Sequence, residues 1–125
     1  MLMDKVKIMN DKAKDFICKH IDSDRIIESV SMTSEFKTHN KEMKKLDELV
    51  KSISQDIGLC EIVYSELLSS ENPVTLLNSA SECLKINIYI EKAVAILKVL
   101  AKRKDIGIIS FNAEMMLNEW AKMKK

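Results

Sequence analysis

Two histidines, three cysteines and nineteen Asp and Glu residues are the side chains here able to do acid–base, nucleophilic or metal chemistry. Cys18 and His20 stand closest, but residues two apart on a helix point to different faces and make no nucleophile–base pair. His20 falls on the apolar stripe of its own segment and reads as a packing residue rather than a base. Cys18, Cys60 and Cys83 are odd in number and widely separated, with no metal-ligand spacing. Each is expected to be a small buried hydrophobe in a reducing compartment. No carboxylate stands in an apolar context that would raise its pKa for proton transfer. No glycine-rich loop cradles phosphate. The residues therefore predict no catalytic centre, no metal and no cofactor.

The basic runs Lys102-Arg103-Lys104 and Lys122-Lys124-Lys125 are the places to look for nucleic-acid contact. The first sits at an expected helix end, where cations face the dipole favourably. Neither has interleaved aromatics, and Arg is scarce among the bases, which argues against base reading. The apolar run Ala93 to Leu97 is far short of the roughly 20 residues a membrane span needs, and the N-terminus has no apolar signal core. A cytosolic protein without a membrane partner is expected.

The elements that must position these residues read as helices. Two glycines and one proline in 125 residues leave few turns, and the apolar set of Leu, Ile and eight Met suits helix–helix packing. Met3, Val6, Met9, Ala13, Phe16, Ile17, His20 and Ile21 form one helical stripe, and a second, less regular one runs from Asp24 to Phe36. Asn40 is placed to cap a helix carrying Met43, Leu46, Val50, Ile53 and Ile57, which Gly58 would stop. Leu59, Ile62, Val63, Leu67 and Leu68 face inward on the next. Asn72-Pro73 opens another with Val74, Leu76, Leu77, Ala80, Cys83 and Leu84 inside. Asn87 and Ser110 are the expected caps of two more, the last with Ala113, Met116, Leu117 and Trp120 inward.

A constant shift of 33 carries Asn72, Leu76, Ala80, Cys83 and Leu84 onto Asp105, Ile109, Ala113, Met116 and Leu117, and Val63 and Leu67 onto Ile96 and Leu100. A cap, a hydrophobe and a small Ala at the crossing point recur together, as in stacked helical hairpins. The expected fold is all-α, about six to seven helices in one domain, a short right-handed α–α superhelix of HEAT-like hairpins over 40–125 with capping helices in 1–39.

Charge is uneven although the net is +1. Ser52 to Glu91 carries six acids against one base, whereas Lys92 to Lys125 carries eight bases against three acids. Different faces for different partners would produce this pattern.

Asn40-Lys41-Glu42-Met43-Lys44-Lys45-Leu46, Asn72-Pro73-Val74 with Ala80 and Cys83-Leu84, and Asp105-Ile106-Gly107 with Ser110-Phe111, Ala113 and Leu117-Asn118-Glu119-Trp120 carry a further signal. In these residues the stretch from Asn40 to Lys122 resembles a family of small bacterial HEAT-like helical domains. Members often look like immunity proteins of contact-dependent growth inhibition and similar toxin systems. The resemblance implies a cytoplasmic antitoxin that binds and blocks a cognate toxin domain, commonly a nuclease; a non-enzymatic helical adaptor for another protein is the alternative. Against a cationic toxin, the expected contacts are Glu61, Glu66, Glu71 and Glu82 with Tyr64 as anchor, and a second acidic group of Asp22, Asp24, Glu28 and Glu35.

Overall fold

A computed structural model describes residues 2–31 and 36–123, with side-chain surroundings for 11–30 and 37–123. Among the described residues there are six α-helices and one 3-10 turn, and no strand. The helices are α1 (Leu2–Ser31), α2 (Phe36–Ile53), α3 (Ile57–Leu67), α4 (Pro73–Ile86), α5 (Ile90–Lys102) and α6 (Ile108–Met123), with the turn at Lys104–Ile106. The protein is all-α, as its turn-poor composition requires. None of the described helices is long and apolar enough to cross a membrane. The chain divides into two compact units, Met1–Glu66 and Leu67–Lys125.

In the first unit, α1 is a single helix of 30 residues where two were expected. No glycine or proline interrupts it, and Ser23 and Asp24, at the expected junction of the two stripes, are buried with partners. α1 packs along α2. Phe16 of α1 meets Tyr64 of α3 edge-to-face, with ring centroids 6.2 Å apart. Ala13, Phe16, Ile27, Val30, Leu46, Ile53, Leu59, Cys60 and Val63 are buried. Ile57 and Ile62, expected inward, are 61% and 38% exposed.

In the second unit α4 packs on both α5 and α6, and α5 packs on α6. Ala80 and Ala113, the small residues singled out by the repeat, are fully buried, as is Ala93. These alanines let backbones approach closely. Ser79 and Ser81, also buried in α4, satisfy their hydroxyls by donating to the Thr75 and Leu77 carbonyls at 2.6 and 2.7 Å.

Helix ends depart most from expectation. Asn72 does cap α4: its Oδ1 accepts from the Val74 and Thr75 amides at 2.8 and 3.3 Å, with Pro73 in the first turn. Asn40, however, lies inside α2, which starts four residues earlier at Phe36. Gly58 does not stop a helix but sits in the first turn of α3. The cap there is Asp56, whose Oδ1 accepts from the Leu59 amide at 3.0 Å. Asn87 ends α4 rather than starting α5: it is left-handed (φ 69°) and its amide donates to the Cys83 carbonyl at 2.8 Å. Ser110 is within α6, and its hydroxyl closes the end of α5 by donating to the Ala101 carbonyl at 2.8 Å. Asp105, the repeat counterpart of Asn72, lies in the 3-10 turn and pairs with Arg103, so the cap is not repeated.

Gly107 has φ 57° and ψ −122°, a region that a side chain makes strained. Gly107→Ala is expected to cost about 1–3 kcal/mol in urea denaturation, although an added Cβ meets nothing within 4 Å. In the same assay Asp56→Ala should cost about 1 kcal/mol, and Asn40→Ala should stay within about 0.5 kcal/mol of the parent.

Candidate functional site

Polar chemistry in the first unit concentrates on the inner side of α1. One turn apart, His20 and Asp24 are both fully buried, and the imidazole Nδ1 donates to Asp24 Oδ2 across 2.8 Å. The Phe16 ring lies against the imidazole, centroids 5.9 Å apart. Next to Asp24 in the same turn, the Ser23 hydroxyl donates to Glu42 Oε2 of α2 at 3.4 Å, with both residues buried. Among the described residues no buried side-chain nitrogen or oxygen lacks a partner. The first pair lies within α1 and the second joins α1 to α2, as buried polar groups must be satisfied within the protein.

Cys18 and His20 lie on different sides of α1, the thiol exposed and the imidazole buried. Cys18 thus departs from the expected burial, whereas Cys60 and Cys83 are buried. Burial pushes the Cys60 thiol above its ordinary range, with the nearby Asp56 charge adding to the effect. Its Sγ donates to the Ile53 carbonyl at 3.2 Å. Among the described residues, no group of three His, Cys, Asp or Glu is placed to hold a metal ion.

The expected partner contacts separate into two sets. Glu61, Glu66, Glu71, Asp22 and Glu28 are exposed, and Glu35 lies outside the described residues. Tyr64, Asp24 and Glu82 are buried, at 0%, 0% and 7% exposure, and offer a partner no surface. Tyr64 is held against Phe16 and Asp24 against His20, so both belong to the interior.

Two open grooves flank α1 in this unit. One, of about 390 Å³, is lined by Ala13, Lys14, Ile17 and Cys18 of α1 with Ile62 and Glu66 of α3. The other, of about 500 Å³, runs between α1 and α2 and includes Lys19, Asp22, Ile26, Lys45, Glu48 and Leu49. In each, a part-exposed isoleucine lies one helical turn from an exposed carboxylate: Ile26 with Asp22, and Ile62 with Glu66. Sequence reasoning faced Ile62 inward and counted Ile26 in the Asp24–Phe36 stripe; their four-residue spacing from acids is the signal that could have placed them at the margin of the core.

In the second unit Leu76, Ala95, Ile96, Val99 and Leu100 form a smaller groove of about 260 Å³, bordered by Lys92 and Arg103. Arg103 is engaged by Asp105 through two bonds, Nε to Oδ1 at 3.1 Å and Nη2 to Oδ2 at 2.7 Å. That contact holds the Asp105 carboxyl below the usual carboxylate range. Lys122 is exposed in the last turn of α6, and Lys124 and Lys125 lie outside the described residues. No family model, curated protein or solved structure matches this chain.

Two measurements test these placements. A thiol reagent should label one cysteine per native chain rapidly, Cys18, and reach Cys60 and Cys83 only in denaturant. Asp24→Ala should cost about 3 kcal/mol in urea denaturation by removing a buried carboxylate hydrogen-bonded to His20, while Asp22→Ala should cost less than about 0.5 kcal/mol.

Proposed function

We propose that this protein is a non-catalytic binding protein whose partner is a bacterial toxin domain of cationic surface, a nuclease by preference. In this reading it is the immunity protein of a contact-dependent or similar toxin system and acts in the cytosol of the producing cell. The observation that carries the reading is the pairing of exposed carboxylate and part-exposed isoleucine at each groove beside α1. A carboxylate steers a basic partner into encounter, and an adjacent apolar side chain supplies the area that slows its release. The contacts in this reading are Asp22 and Glu28 on α1 and Glu61 and Glu66 on α3, with Ile26 and Ile62 as apolar neighbours in place of Tyr64. Glu71 is a further exposed acid in the second unit.

The alternative, a helical adaptor for another protein, draws on the apolar groove around Val99, which is 62% exposed and has no acidic rim. The two readings part on whether binding abolishes the partner's toxicity.

Co-expression with the product of the adjacent upstream gene should relieve that product's toxicity, and the two proteins should co-purify. In Asp22→Lys with Glu66→Lys the association rate should fall by about tenfold or more, and its dependence on salt should flatten. Stability should be unchanged, since both carboxylates are exposed. Neither rescue nor binding by the unmodified protein would refute the immunity reading.

A further inference from the structure

The groove along α5 differs from the two beside α1 in the sign of its rim. Lys92, Ala95, Val99 and Lys102 follow one another at steps of three, four and three, so they form one stripe of the helix. All four are exposed, and Val99 stands 62% open between the two lysines. Ile96 and Leu100 make the apolar floor beside the stripe, and Leu76 of α4 contributes the facing wall. Arg103 borders one end but is already held by Asp105.

The lysines have no counter-charge. Among the described residues Lys92, Lys98 and Lys102 form no ion pair and no side-chain hydrogen bond. α5 has one acid, Glu91 in its first turn, and α4 has one, Glu82, which is buried. Lys102, in the last turn, at least faces the negative end of the helix dipole. Lys92, the third residue of α5, faces the positive end, an unfavourable place for a cation without a carboxylate beside it.

We propose that this groove receives an amphipathic helix of a partner protein, with a carboxylate at each end of its apolar stripe. Lys92 and Lys102 lie about 15 Å apart along the helix axis, a span of about three helical turns. An apolar strip of that length between two cations matches a helix laid in a groove, with apolar anchors between flanking acids. An acyl carboxylate would answer only one of the two ends. A nucleic acid would set its phosphates over apolar side chains, and the lining holds no aromatic ring for a base to stack on. Such a partner belongs to the adaptor reading, on which this inference rests, and it meets none of the carboxylates of the toxin reading.

Fluorescence anisotropy tests this with the full chain and a labelled helical peptide of about 15 residues, Leu and Ala in its middle and paired Glu at both ends. The peptide should bind in the micromolar range, and less tightly as salt is raised. Val99→Glu should weaken binding about tenfold or more, and Lys92→Glu or Lys102→Glu about threefold or more. Lys41→Glu, the same charge change at an exposed residue of the first unit, should leave it within about twofold. Circular dichroism should be unchanged in all four variants, because each replaced side chain is exposed. Equal binding of a peptide with Gln in place of Glu overturns the acidic partner and leaves a helix-binding adaptor groove. Failure of both peptides to bind overturns the adaptor reading with it, and binding that survives Val99→Glu overturns the site. Dodecanoate that binds at Val99 where the peptide does not, or a dimer of the chain that Val99→Glu dissolves, names a different occupant and overturns the proposal.

Discussion

The hydrogen bond between His20 and Asp24 is the constraint on which the first unit depends. Two polar side chains with no exposure cannot be left unpaired, and their four-residue spacing lets each meet the other within one helix. Because they turn inward, α1 runs through Asp22-Ser23-Asp24 without interruption, and Phe16 comes into reach of Tyr64. A separate buried bond, from Ser23 to Glu42, joins α1 to α2. Polar residues here specify which packing is adopted, while the apolar residues around them supply most of the stabilisation.

Helix type and number were legible because apolar periodicity is a property of whole segments, and a few misplaced residues do not erase it. Ends were less legible because a cap depends on one atom's position. Asn40, Asn72 and Asn87 are the same residue type before an apolar segment, yet one caps, one lies mid-helix and one ends a helix in the left-handed region. Asn serves all three roles, since its side chain accepts an amide and its backbone tolerates positive φ. Asp56 was hidden for a related reason. Gly58 drew attention as a stop, although with the helix already ended at Ile53 the aspartate two residues earlier had a new helix to begin.

The candidate contacts were legible only by charge. Glu61, Glu66, Asp22 and Glu28 are exposed, as solvated carboxylates ordinarily are. Tyr64 went astray because a tyrosine beside acids looks the same whether it anchors a partner or fills a core. Only the position of Phe16, far away in sequence, decides between them. Glu82 and Asp24 show the complementary error: a carboxylate on a helix reads as surface until its burial is known.

The connection between α4 and α5 is made without glycine. Asn87 and Tyr89 both take positive φ, 69° and 47°, on either side of Ile88. An aromatic side chain in that region raises the local free energy by about 1–2 kcal/mol, which the packing of α4 on α5 must hold in place. The joint therefore behaves as a loaded hinge. When the two helices separate, Tyr89 relaxes, so sub-global opening at this point is easier than its neighbours' burial alone implies. Amide protons at the end of α4 and the start of α5 should exchange through that partial opening, ahead of those in the middle of either helix.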